Sequence, residues 1–157
     1  MSVMGKAKVA SDPDTVCTCA AIRQAARRVT RFYDQALAPF GLRITQYPIL
    51  ASLAIQGASA IGPLAERMVL DRATLGHNLR PLLNGGLVAL ETGKDRRGRI
   101  VSLTPAGRAR LAAARPAWET AQADFAAAFG ADETKALRTS MHRVARLEIP
   151  AAPGSPD

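Results

Sequence analysis

Aromatic residues are scarce, with one Trp, two Tyr and four Phe in 157 positions. The core therefore has to be assembled from Ala, Leu, Val and Ile. Cysteine is scarcer still, limited to Cys17 and Cys19. One residue apart, they make no disulfide framework and fit a reducing cytosol. With only His77 and His142 beside them, they do not support a structural zinc site. Long apolar runs are also missing. The most apolar stretch, 47–65, is broken by Gln56, Gly57, Ser59, Gly62 and Pro63, so it is not a membrane span. The opening MSVMGKAKVASDPD lacks the apolar centre of a signal peptide. Catalytic motifs are absent. Gly93-Lys94 is followed by Asp95 and has no Gly five positions before it, so it is no phosphate loop. No G-x-S-x-G elbow and no His-paired nucleophile occur. Neither an enzyme, nor a cofactor, nor a bound metal is expected. Acidic residues are the minority, 13 against 21 Lys and Arg, giving a formal net charge of +8. A fold does not need that excess; it favours a polyanionic partner such as nucleic acid or an anionic membrane surface.

The patterning reads as helices with one β-hairpin, a mainly α class. Residues 1–14 are polar and small, a flexible arm, and 150–157 form a Pro-rich flexible tail. A first helix is expected from Thr15 to Ala38, capped by Asp14 or Thr15. Apolar Ala21, Ala25, Val29, Phe32, Ala36 and Phe40 are spaced by three and four. Arg23, Arg27, Arg28 and Arg31 take much of its remainder, and Pro39 and Gly41 end it. A second helix, Thr45 to Ile55, turns Tyr47, Leu50, Ala51 and Ala54 to one side, with Pro48 in its first turn. A short helix, Ile61 to Met68, buries Leu64 and Ala65. Asp71 then caps a helix running to Asn84, whose inward stripe is Leu75, Leu79, Leu82 and Leu83. Two short helices joined at Val69-Leu70 make a helix-turn-helix. Gly85-Gly86 stop the second. Leu87–Thr92 and Arg99–Leu103 read as strands around a Gly93–Gly98 loop. Thr104-Pro105 opens a long Ala-rich helix to Phe129, and after Gly130, Asp132 opens a last one to Leu147.

The Asp71–Asn84 helix presents Arg72, Ala73, Thr74, Gly76, His77, Asn78 and Arg80 outward, with no carboxylate after the cap. Such a face suits the major groove, which admits a helix and is rich in acceptors. Lys94, Arg96, Arg97 and Arg99 crowd the hairpin loop and its exit, where packing has no use for them. Guanidinium groups at such a tip suit a minor groove, the most negative part of the duplex surface. Asp95 is placed to orient a neighbouring Arg.

These segments together resemble the MarR regulators, dimeric winged-helix repressors. Residues 95–104, Asp-Arg-Arg-Gly-Arg-Ile-Val-Ser-Leu-Thr, match the family's D-x-R-(G)…L-T signature. Gly41-Leu42 with Gln46 and Leu50 match its second-helix pattern. Leu64-Ala65, Asp71-Arg72, Thr74-Leu75 and Leu79 match its helix-turn-helix, and Gly86-Leu87-Val88 its entry to the wing. The resemblance covers 17–147. It implies a single domain, 15–149, with a winged helix-turn-helix lobe at 45–104 and dimerisation helices at 15–40 and 105–147. It also implies that Arg97 is the minor-groove arginine with Asp95 its partner, and that Arg72, Thr74, His77 and Asn78 face bases or phosphates. Gly76 and His77 depart from the family, which often has Thr or Val and then Arg there. A homodimer on palindromic double-stranded DNA follows. From the residues themselves, Leu111, Ala114, Trp118, Ala121, Phe125, Ala128 and Phe129 form an apolar stripe that a small monomer has little else to cover. The competing reading is a winged-helix module for protein contacts or sequence-tolerant DNA binding.

Family members release DNA on a signal, and three signals are open here. Cys19 aligns with the peroxide-sensing cysteine of the organic-hydroperoxide branch. Tyr33 aligns with one of its supporting tyrosines, and Ile44 replaces the other. Arg23 and the helix N-terminus would favour the thiolate such an oxidant needs. Cys17-Thr18-Cys19 would bind copper as Cu(I) only if the helix start unwound, since i and i+2 point to nearly opposite sides. A small aromatic ligand in the cleft between dimer helices and DNA-binding lobe is the third, with Tyr33, Tyr47 and Arg23 as lining candidates.

Overall fold

The computed structural model describes residues 17–93 and 98–148. Helix α1 spans Thr18–Leu37, and Ala38–Phe40 continue it as a tighter turn that Pro39 and the left-handed Gly41 (φ 64°) bring to a stop. Helix α2 is Tyr47–Gln56, β1 is Ser59–Ala60, α3 is Ile61–Met68 and α4 is Arg72–Asn84. Strands β2 (Val88–Thr92) and β3 (Arg99–Leu103) form the hairpin. Helices α5 (Pro105–Phe129) and α6 (Ala131–Ala145) complete the described elements. The class is mainly α with a small winged sheet, as the patterning predicts.

The sheet has one strand more than the patterning shows. Its order is β1-β3-β2, all antiparallel, with Ser59 opposite Val101 and Val88 opposite Leu103. Two residues are too few to display alternation, so β1 carries no signal in the sequence. It ties the exit strand of the wing to the start of α3.

One core holds the lobe together. Leu37 of α1, Ile49, Leu50 and Leu53 of α2, Leu64 of α3 and Leu75 and Leu82 of α4 are all at most 2% exposed. Val101 of β3 and Ala114 of α5 join the same cluster. The lobe and the root of α5 therefore share an interior. Seven Leu and Ile side chains buried at roughly 1.5–3 kcal/mol each outweigh any single polar contact in this region.

Two expected faces are corrected. On α1 the buried residues are Tyr33 and Leu37, whereas Ala21 and Ala25 are exposed and Val29, Phe32 and Ala36 half-buried. Among the described residues nothing covers Ala21 and Ala25 in the first turns of the helix. On α2 the inward residues include Ile49 and Leu53, and Ala51 and Ala54 are only partly covered. The larger side chains take the core and the alanines its rim. In α5, Leu111, Ala114 and Ala121 are buried, Trp118 and Phe125 half-buried, and Ala128 and Phe129 exposed. Helix α6 is exposed along its length except at Thr134.

Candidate nucleic-acid interface

Helix α4 starts on a built cap. The Asp71 carboxylate accepts the Thr74 backbone N–H at 2.8 Å and the Thr74 hydroxyl at 2.7 Å. Those bonds hold its pKa below the ordinary carboxylate value. Leu75, Leu79 and Leu82 anchor the inner face, 0–2% exposed. Periodicity then turns Ala73, Gly76, His77, Arg80 and Asn84 outward together, and each is exposed. Arg72 and Thr74 flank that face and are exposed, and Asn78 is half-buried at its edge. A methyl on Gly76 would meet nothing within 4 Å. The middle of the face is thus low and open, with cations at either end. Pro81, inside α4, does not break it.

The turn before α4 is set by an unusual residue. Val69 caps α3 in the left-handed region (φ 54°) and is 64% exposed. Leu70 N–H bonds back to Ala65 O at 2.9 Å. These two residues swing the chain from α3 into α4, as the expected join at Val69-Leu70 requires.

The wing root docks on the helix-turn-helix and on α5 at once. Thr104 N–H donates to Leu87 O at 3.2 Å, and the Thr104 hydroxyl donates to Gly86 O at 2.6 Å. The same hydroxyl accepts Gly107 N–H at 3.0 Å, capping α5. Arg99 stands exposed at the start of β3, opposite Thr92. Lys94, Asp95, Arg96 and Arg97, the rest of the basic tip, lie outside the described residues.

Two residues on the other side of α4 were not singled out from the sequence. Arg43 and Thr45, in the loop before α2, line one open cavity of about 830 Å³ with His77 and Asn78. Asp34 also lines it, with one carboxylate oxygen engaged by Ile44 N–H at 2.7 Å. An isolated Arg in a loop carries no pattern; only the fold brings it beside α4.

The proposed effector residues divide into two groups. Cys17, Cys19 and Arg23 gather around a shallow cavity of about 390 Å³ at the start of α1, and both thiols are free and exposed. Tyr33 and Tyr47 are not with them. Both are core residues, 7% and 5% exposed. The Tyr33 hydroxyl donates to Gln122 Oε1 at 2.5 Å, and the Tyr47 ring stacks on Trp118 at 5.4 Å. Burial raises both phenols above the ordinary 10.0; for Tyr47 a bond from Arg115 opposes it. Fourteen residues of one helix separate Cys19 from Tyr33 by roughly 21 Å. Within one chain, Tyr33 does not support Cys19. Among the described residues no group of three or more His, Cys, Asp or Glu comes together as a metal site. No helix of the described residues is long and apolar enough to cross a membrane.

No family model and no protein of curated function matches the chain in sequence. Solved structures do match. The M. tuberculosis transcriptional regulator MosR, in complex with DNA, is 36% identical, with a TM-score of 0.70 over 83% of this chain and 99% of its own. The transcriptional repressor CouR, bound to a 23-mer DNA duplex, is 25% identical, with a TM-score of 0.75 over 84% and 94%. A MarR-family transcriptional regulator from Rhodococcus sp. RHA1 shares the fold at 21% identity, with a TM-score of 0.72 over 88% and 97%.

Proposed function

The chain belongs to the MarR family of transcriptional regulators, and from that premise we propose that it is a cytoplasmic, homodimeric repressor of a palindromic operator. The observation that carries this is the outer face of α4. It holds Arg72, Thr74, His77 and Arg80 without a carboxylate beyond the cap, on a helix pinned from behind by three leucines. Rigid donors on one side of a helix read base edges and phosphates. Asn78 supplies an amide at the rim. The basic hairpin residues Lys94, Arg96, Arg97 and Arg99, with Asp95 orienting one of them, extend the contact to the neighbouring minor groove. MosR and CouR, solved with DNA, support the reading.

Dimerisation covers what one chain leaves bare. Leu137, Met141 and Val144 recur on one side of α6 at 37–43% exposure, beside Phe129 at 50% and Leu147 at 62%. A second copy of α1, α5 and α6 buries such a surface, and a two-fold pair places two α4 helices about one turn of DNA apart. The domain is one unit, 15–149, with its DNA lobe at 45–104 and its dimer helices at 15–40 and 105–147.

The test is direct. Affinity for a palindromic duplex from the region upstream of its own coding sequence is compared with a scrambled duplex of equal length. At physiological salt the palindrome binds at least a hundredfold tighter; equal affinities refute a sequence-specific regulator and leave a sequence-tolerant or protein-binding module. Arg97→Ala weakens binding and lowers the salt slope by about one.

Release follows from an effector, and the exposed Cys17–Cys19–Arg23 cluster supports an oxidant. The Cys19 thiolate attacks an organic hydroperoxide, giving a sulfenic acid and an alcohol. Cumene hydroperoxide then frees DNA from wild type but not from Cys19→Ser. Wild-type protein that holds DNA under peroxide removes this reading. The cavity of about 830 Å³ between α1 and α4 supports the second reading, a small-molecule ligand. A screen of oxidants, copper and phenolic acids for loss of DNA binding separates the signals.

A further inference from the structure

The Thr104 hydroxyl sits where three functional parts meet. It donates to Gly86 O, two residues beyond the end of α4. It accepts Gly107 N–H in the first turn of α5. Its own residue closes β3, and its N–H holds Leu87 O at the entry to β2. Gly107 packs so tightly against this joint that a Cβ would fall 1.9 Å from Leu87 O. No other side chain among the described hydrogen bonds touches both the end of α4 and the start of α5.

We propose that Thr104 is a positioning residue for DNA binding: its hydroxyl fixes the angle of the wing against α4 by tying both to α5. The proposal rests on the repressor reading. A plain helix cap needs only the acceptor half of the hydroxyl. The donated bond to Gly86 O is what links α5 to the recognition helix. Strands β2 and β3 run out from the joint side by side, Val88 paired with Leu103 and Thr92 with Arg99, so a small rotation at the joint swings both strands together. Loss of the bond leaves α4 seated on its leucines and the strands in the core, and removes the tie that sets the hairpin's angle against α4. The same joint passes any shift of α5 on to the wing.

Three variants separate the two halves of the hydroxyl. Thr104→Ser keeps donor and acceptor. Thr104→Val, nearly isosteric, loses both. Thr104→Asp keeps the acceptor for Gly107 N–H but cannot donate to Gly86 O. Ala106→Asp, exposed two residues on, controls for the added charge. Binding to the palindromic duplex is measured by fluorescence anisotropy from 50 to 300 mM salt, with thermal melts alongside. Thr104→Asp binds about tenfold or more weaker than Ala106→Asp, with a salt slope lower by about one, because hairpin phosphate contacts are lost. Thr104→Val does the same, and Thr104→Ser returns to within about threefold of wild type. A variant that is merely unstable loses active protein without changing its slope. Equal affinity and slope for Thr104→Asp and Ala106→Asp overturn the proposal, even if Thr104→Val fails to fold. Failure of the repressor reading looks different. Wild type then binds palindrome and scrambled duplex alike, while the slopes of the variants on either duplex still decide the role of Thr104.

Discussion

Gly107→Ala is a small change with a sign that propensity alone gets wrong. In the first turn of an exposed helix, Ala in place of Gly is worth up to about 1 kcal/mol of stability. Here the added methyl would lie 1.9 Å from Leu87 O and 2.7 Å from Leu103 Cδ1. An ordinary carbon–oxygen contact is over 3 Å, so the start of α5 must move away by more than 1 Å, and Leu87 O is backbone that cannot swing aside. Overpacking of this kind costs about 1–3 kcal/mol. The same movement stretches the Thr104 bonds to Gly86 O and Leu87 O, each contributing about 1 kcal/mol. The balance is a loss of about 2–4 kcal/mol. For a chain of this size that lowers Tm by about 5–15 °C. Differential scanning calorimetry reads it directly. DNA affinity, measured at 20 °C where the variant is folded, falls as well, because the wing root has shifted. A Tm equal to or above wild type would show that α5 is not seated on the wing root, and the joint would lose its support.

Val69→Gly should act in the opposite direction: a β-branched residue at φ 54° carries about 1–2 kcal/mol of backbone strain, so the glycine variant melts a few degrees higher, and a lower Tm refutes that account. Asp71→Ala should lower Tm at pH 7 while Asp71→Asn, a comparable cap, does not. The bonds from Thr74 depress the Asp71 pKa, so this contribution is present above the unfolded value of 3.8 and disappears as pH falls through the folded one; a gap between Asp71→Ala and wild type that survives at pH 2 contradicts the cap. Burial raises the pKa of Tyr33 and Tyr47 above 10.0, so stability is intact below that pH and is lost as pH climbs through the folded values. Tyrosine absorbance titrated together with circular dichroism checks this, and two phenols ionising at 10.0 in folded protein would refute it. Leu137→Asp with Met141→Asp should convert a dimer to a monomer by light scattering and abolish operator binding; a dimer that persists moves the interface elsewhere.

The helix-turn-helix was legible because its signals are local. A cap and its partner lie three residues apart at Asp71 and Thr74, and Leu75, Leu79 and Leu82 repeat with the helix period. The wing strands were legible from their bounding glycines, to within one residue at Leu87. Three things were not. Strand β1 is two residues long and exists only because β3 offers a free edge. The buried face of α1 is set by where α5 crosses it, so Tyr33 and Leu37 are inside and the alanines two turns earlier are out. The burial of Tyr33 and Tyr47, named as lining candidates and Tyr33 also by its alignment with a supporting tyrosine, carries no local signal. The fold uses their hydroxyls internally, on Gln122 and beside Arg115.

How a signal reaches DNA is constrained by what the lobe shares with the dimer helices. Leu111, Ala114 and Trp118 of α5 and Leu37 of α1 belong to or pack against the same core cluster as the leucines of α4. A core packed to that degree moves as a block and does not bend gradually. An effector at the exposed start of α1, roughly 30 Å along the helix from Leu37, therefore does not act by loosening the lobe. In the proposed homodimer it would act by turning whole lobes relative to one another, or through the few polar ties at the block's edge. Those ties are specific: Asp34 to Ile44 N–H at 2.7 Å, Arg110 to Phe40 O at 2.7 Å, and Thr104 to Gly86 O at 2.6 Å. The first joins α1 to the loop before α2, the second joins α5 to the turn that ends α1, and the third joins α5 to the wing root. Arg110→Ala separates the two routes. It leaves the core intact and removes the tie between α5 and the end of α1, so free-protein Tm changes by less than about 2 °C while the effector concentration needed to release DNA shifts severalfold. If Arg110→Ala changes neither the affinity for DNA nor the release curve, that tie carries no signal, and the ties at Asp34 and Thr104 or rotation of whole lobes in the proposed homodimer are left as the means of switching.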